Sequence, residues 1–176
     1  MKKLKLEELG RISASEYKVA EKLPVTIVLD NIRSLHNVGS AFRTADAFRI
    51  EKLFLTGITG TPPHREIQKT ALGATDSVPW EYVKETSAVL QTLKETGYRI
   101  VIVEQTTESV LLQEFKLKND EKYAFVFGNE INGVSEDAIL NADLAIEIPQ
   151  SGSKHSLNVS VCLGIVTWQV YQQLRL

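Results

Sequence analysis

An α/β fold built on a mostly parallel sheet follows from three features of the sequence. Short apolar runs rich in β-branched and aromatic residues alternate with helix-patterned stretches along most of the chain. Turn-forming or polar residues bound each apolar run. No repeat, low-complexity tract or linker divides the alternation, so a single sheet with helices on both faces accounts for it.

Taken in order, residues 1–24 form a charged, helical amino-terminal extension, and residues 25–176 form the domain proper, entered just after Pro24. Six strands are expected, over 25–29, 52–56, 78–83, 99–103, 123–127 and 144–148. Helices are expected over 38–48, 65–72, 87–95, 135–140 and 156–174. Thr86 is placed to cap the third helix, and Gly97 to stop it. In the last helix, Leu157, Val161, Ile165 and Trp168 form one stripe, while Val159, Cys162, Leu163, Val166 and Val170 cover much of the remaining circumference. A helix apolar nearly all round is buried nearly all round, and a sheet covers only one side. The other side is therefore expected to face a second subunit in a twofold homodimer.

The 176 residues suit one domain, and a hydrophobic fraction of 43% is enough for a core. The single cysteine, Cys162, excludes disulfides and cysteine-rich zinc sites within the chain. Residues 4–8, Leu-Lys-Leu-Glu-Glu, break any apolar signal-peptide core, and no later segment is long enough to span a bilayer. A reduced, cytoplasmic protein without membrane contact is expected. A net charge of −2 argues against coating nucleic acid through bulk electrostatics, so any such contact must be a local basic patch. The candidates are the lysines of the extension and a loop cluster containing Arg33, Arg65 and Lys69.

Familiar sites are missing. The turn after the first strand, 30–37, carries no G-x-G-x-x-G, and there is neither a Walker A sequence nor a G-x-S-x-G elbow. His36, His64 and His155 lack paired metal-ligand spacing. Three loops remain, each after an expected strand. The first leads into Asn37-Val38-Gly39-Ser40-Ala41-Phe42-Arg43, with Asn37 placed to cap a helix and Arg43 two turns along it. The second is Phe127-Gly128-Asn129-Glu130-Ile131-Asn132-Gly133, where glycines permit a tight path around Glu130. The third runs from Ile148-Pro149 through Gly152 to Ser156-Leu157-Asn158-Val159-Ser160, where a polar loop passes into an apolar helix. Loops at the carboxyl edge of such a sheet are where α/β folds bind ligands.

Together and in this order the three loops resemble the motifs of the SpoU, or TrmH-like, RNA 2'-O-methyltransferases of the SPOUT superfamily, from about Val25 to the carboxyl terminus. The run Lys69-Thr70-Ala71-Leu72-Gly73-Ala74 is similar to a further segment of that family. The resemblance implies a carboxyl-terminal trefoil knot, S-adenosylmethionine as methyl donor and an RNA ribose 2'-hydroxyl as acceptor. It implies Arg43 as the central catalytic residue, with Asn37, Glu130, Ser156 and Asn158 around it. It places Gly128, Ile148 and Leu157 at the donor, with Glu104 and Gln105 as looser matches. It also implies a homodimer that brings the first motif of one subunit to the donor of the other. The chain lacks the separate amino-terminal RNA-binding domain of some relatives, which favours transfer RNA over ribosomal RNA as substrate. A homologue that binds RNA and S-adenosylmethionine without turnover is one alternative, and an unrelated nucleotide-binding α/β enzyme is another.

Overall fold

A computed structural model describes the backbone of residues 1–176 and every side chain except that of Leu6. The strands are β1 (Leu23–Asp30), β2 (Ile50–Thr56), β3 (Trp80–Val83), β4 (Tyr98–Val103), β5 (Val110–Leu111), β6 (Lys122–Phe127) and β7 (Leu144–Glu147). They form one seven-stranded sheet in the order β3-β2-β1-β6-β4-β7-β5, parallel at every pairing. All six expected strands are present. The seventh, β5, has two residues, too few to show a period, and exists because Val110 and Leu111 pair with the edge of β7.

A 3-10 turn (Leu6–Leu9) and α1 (Ala14–Val19) precede the sheet; α2 (Leu35–Ala47), α3 (Arg65–Ala71), α4 (Ala74–Ser77), α5 (Thr86–Glu95), α6 (Glu136–Asn141) and α7 (Val159–Arg175) follow. Alternate residues of β1 point to opposite faces, as the pleat requires. Val25, Ile27 and Leu29 pack with Phe42 of α2 and with Leu163 and Val166 of α7, whereas Val28 packs with Leu90 of α5 and Ala138 of α6. Helices therefore cover both faces. Among the described residues, none of these helices is long and apolar enough to cross a membrane.

Several boundaries move for identifiable reasons. Helix α2 starts earlier than expected because Ser34, not Asn37, is its cap, its side chain accepting from the Asn37 amide at 3.3 Å. Helix α7 starts later, at Val159, with Asn158 as cap and Ser156 in the preceding loop. Thr86 is the first residue of α5 rather than its cap, a place held by Glu85, while Gly97 ends the helix region at φ +85. Where α2 crosses α3, a Cβ on Gly39 would run into Thr70 and the Ile67 carbonyl, so only glycine lets the two backbones approach.

The extension is tied to the domain. Tyr17 of α1 is 2% exposed, lies in the main core cluster and donates its hydroxyl to the carbonyls of Ala45 and Ile50, each at 3.2 Å. Truncating Tyr17 to Ala should cost about 3 kcal/mol and Tyr17→Phe about 1 kcal/mol of unfolding free energy in urea titration. An unchanged midpoint for the alanine variant would mean that α1 contributes nothing to the core.

Candidate active site

Because β1, β6, β4 and β7 run parallel, their carboxyl ends share one edge, and all three loops singled out in the sequence leave from it. Glu130, in the loop after β6, joins the first two. Its carboxylate accepts from the Arg33 amide at 2.9 Å, the Ser34 amide at 3.0 Å and the Asn37 side-chain amide at 2.9 Å. Asn37 can reach it because Ser34 has taken over the capping. The third loop joins through Asn158, whose side-chain amide donates to Asn37 Oδ1 at 3.3 Å while its own oxygen caps α7 through the Ser160 amide at 2.9 Å. Partial burial alone would push the Glu130 carboxyl up, but the donors from Arg33, Ser34 and Asn37 outweigh it and hold the group below its ordinary value of 4.5. A depressed carboxyl favours the folded state above that value and loses the contribution as pH falls through the folded one. The link between the loops is thus secure at neutral pH and loosens in acid.

Three further residues build the site and were not singled out from sequence. Asp30, fully buried at the end of β1, accepts from the Thr86 hydroxyl at 2.7 Å, the Ser135 amide at 2.7 Å and the Asn31 side chain at 2.9 Å. Asn31 sits at φ 58, and its carbonyl accepts from Asn129 at 2.6 Å. Asn129 Oδ1 in turn takes the amides of Ile131 and Asn132, which folds the second loop back on itself. An acid and an amide closing an apolar strand, as Asp30-Asn31 does, are the signal that could have found them.

These connections wall a cavity of about 510 Å³, within the range of small-ligand pockets. Glu104, Gln105, Gly128, Glu130, Ile148, Ser156, Leu157 and Asn158 all line it, so eight of the residues expected at the site come together. At Gly128 a Cβ would strike the backbone of Gly133 and Val134, and at Gly133, φ +70, it would strike the Glu104 carboxylate. Glu104 is itself held by the amides of Val134 at 3.2 Å and Gln105 at 2.8 Å, and the Gln105 side chain reaches the His155 carbonyl at 3.2 Å. Asn37 is not among the lining residues and is tied to the cavity through Glu130 and Asn158.

Arg43 is exposed on α2 and does not line the cavity of its own chain. Arg33, Arg65 and Lys69 are also exposed. Lys69 pairs with Glu66 at 2.7 Å, and Glu66 with His36 at 2.8 Å, which links α3 to the start of α2.

Fold and site define a parallel α/β protein with a small-molecule cavity where three loops meet at the carboxyl edge of the sheet. The chain belongs to the SpoU rRNA Methylase family, whose model matches residues 24–168. It is 31% identical over 150 residues to the 23S rRNA (guanosine-2'-O-)-methyltransferase RlmB of Neisseria meningitidis serogroup B, a match covering 85% of this chain and 59% of that protein. The chain thus spans less than two thirds of that relative. Its fold matches the TrmH/SpoU tRNA modifying enzyme of A. aeolicus with a TM-score of 0.79 at 29% identity, covering 91% of this chain and 79% of the other. An AdoMet-bound rRNA methyltransferase from Sinorhizobium meliloti matches with a TM-score of 0.81 at 25% identity, covering 88% and 58%.

Proposed function

We propose that the protein is an S-adenosylmethionine-dependent RNA 2'-O-ribose methyltransferase. The observation that carries this reading is the convergence of all three loops on one cavity through Glu130, Asn37 and Asn158. Its relatives' names agree with it. The cavity fits the donor: its volume suits a nucleoside-sized ligand, and Gly128 and Gly133 let the second loop, part of the cavity wall, pack on itself and against Glu104 where a side chain would collide. Gly128, Ile148 and Leu157 would hold the adenosine part by backbone and apolar contact, beside Glu104 and Gln105. When bound, the donor supplies a methyl group made electrophilic by its sulfonium.

The chain's own residues then have two tasks. The first is to hold the 2'-oxygen in line and exclude water. Glu130 serves here by fixing the first loop against the second, and since its oxygens are occupied and its carboxyl is held low, it is a positioning group rather than a base. Ser156 and Asn158, on the cavity wall, are the polar groups nearest the third loop's entry into α7. The second task is to stabilise the negative charge that develops as the hydroxyl proton leaves. Arg43 performs it, because a guanidinium stays protonated and matches both an alkoxide and a phosphate.

Arg43 lies outside its own cavity, so it acts on the cavity of a partner in a homodimer. Helix α7 has the surface for one: Leu163, Val166 and Val170 are buried in the core, while Val161 is 50% and Trp168 45% exposed on the opposite side. A knotted carboxyl terminus is part of this reading. It is supported by β7 occupying the slot between β4 and β5, with the segment that joins those two strands bonded to the later loop through Gln105 and His155. Arg33, Arg65 and Lys69 would meet the RNA backbone.

The preference for transfer RNA gives way to ribosomal RNA. It rested on where the chain begins, which carries no weight in a chain matching 59% of its relative, and that relative is named for 23S rRNA. The test is transfer of labelled methyl from S-adenosylmethionine to purified ribosomal and transfer RNA, followed by nuclease digestion. Label in 2'-O-methylnucleosides is the expected result. Label on bases, or none in any RNA, would sink the reading.

A further inference from the structure

Among the described residues, Asn31, Arg49 and Leu72 have left-handed backbone without being glycine. Arg49 comes just after the end of α2 and Leu72 caps α3, places where such a turn is the ordinary way for a helix to stop. Asn31, at φ 58, ends no helix and follows the last residue of β1. Asp30 pairs in register with Thr56, so the next residues on the two strands, Asn31 and Gly57, leave the sheet side by side. Gly57 is left-handed too, at φ +61, and a Cβ on it would strike the Asn31 side chain.

Every polar group of Asn31 is engaged. Its amide donates to the Thr56 carbonyl at 3.3 Å, its side-chain amide donates to Asp30 at 2.9 Å, and its side-chain oxygen accepts from the Ile58 amide at 3.2 Å. These three bonds hold the turn to β1 and to the chain leaving β2. The carbonyl does something else, accepting from the Asn129 side chain at 2.6 Å. Two and three residues further on, the amides of Arg33 and Ser34 reach Glu130, the neighbour of Asn129. The turn at Asn31 therefore aims one carbonyl and two amides of the first loop at two adjacent residues of the second, both of which line the cavity. An extended residue in its place would send those peptide groups elsewhere.

We infer that Asn31 is a positioning residue for methyl transfer, acting through its left-handed backbone: the turn sets the first loop against Asn129 and Glu130, and with it the cavity wall and the start of α2. This deepens the methyltransferase reading and rests on it. Asparagine is among the few residues with a side chain that enter this conformation readily, glycine enters it freely, and a β-branched residue is driven out of it. A backbone role and a side-chain role consequently predict opposite orders of damage.

The experiment compares Asn31→Gly with Asn31→Val in the full chain. Both lose every side-chain hydrogen bond, and only glycine keeps the turn. Turnover is measured with S-adenosylmethionine and purified ribosomal RNA, both saturating, at a temperature where circular dichroism shows each variant folded, so that lost stability does not register as lost turnover. Asn31→Val should lower kcat by about ten- to a hundred-fold, the scale of a small misplacement of reacting groups, while Asn31→Gly stays within about three-fold of the wild type. Should Asn31→Val not fold, Asn31→Ala takes its place, with a several-fold loss against glycine expected from its single β-carbon. Asn129→Asp removes the donor to the Asn31 carbonyl and keeps the acceptor for Ile131 and Asn132. It should also be impaired, and joining it to Asn31→Val should add little, because both changes break one link. Loss in Asn31→Gly as deep as in Asn31→Val, full turnover in both, or losses that multiply in the double variant would each overturn the inference. Absence of transfer by the wild-type protein to any RNA would instead remove the methyltransferase reading on which it rests.

Discussion

Arg43→Ala should lower methyl transfer by about 10²- to 10³-fold, the effect of removing one preorganised group from a developing oxyanion. Donor affinity should stay within a few fold, because the cavity is walled by the loops after β4, β6 and β7 and Arg43 is not among its lining residues. The fold should also survive, since the side chain is exposed on α2 and no core contact depends on it. The discriminating measurement is a pair of assays on one preparation: calorimetric donor binding, and turnover with saturating RNA. Turnover comparable to the wild type would remove Arg43 from the chemistry. Loss of donor binding would instead place its effect in the cavity, contrary to the geometry. Arg43→Lys separates two roles further. A lysine keeps the charge and loses the planar fork, so partial activity would favour simple charge stabilisation, and inactivity would favour a two-pronged grip on phosphate.

The sequence carried the elements of this fold because their signals are local. The apolar runs that became β1 to β4, β6 and β7 are bounded by turn residues, and the glycines at 97, 128 and 133 sit where left-handed backbone or close approach demands them. What it could not carry was competition between neighbours. Ser34 and Asn37 are both good capping residues. Only the position of Glu130, 93 residues from Asn37, shows that Ser34 caps and that Asn37 reaches across. Likewise β5 has no period of its own and is a strand because β7 offers it an edge. The site was legible as three loops and not as a network. Asp30, Asn31 and Asn129 connect loops more than 90 residues apart along the chain, through hydrogen bonds that no spacing rule encodes.

A charge on the outer stripe of α7 should dissociate the protein and silence it together. Ile165 is 38% exposed and Val161 50% in the single chain, so glutamate at either position is solvated in the monomer and should leave its fold intact. In a dimer the same glutamate would be buried without a partner, at a cost of several kcal/mol that an interface of ordinary strength does not survive. Sedimentation should therefore show dimers for the wild type and monomers for Ile165→Glu, with a far-UV circular dichroism spectrum that still reports the folded chain and a lower, concentration-independent melting temperature. Methyl transfer should fall with the dimer if Arg43 serves the partner's cavity. Mixed dimers test that arrangement directly. Arg43→Ala supplies an intact cavity without the arginine, and Gly128→Val supplies the arginine with the second loop, and so the cavity wall, displaced by collision with the backbone of Gly133 and Val134. Neither should be active alone. After unfolding and refolding together in equal amounts, half the dimers are mixed and each holds one complete site, so about a quarter of wild-type activity should return. A wild-type protein that is monomeric at micromolar concentration and fully active, or a mixture that stays inactive while its mixed dimers are demonstrably present, would show that each subunit completes its own site.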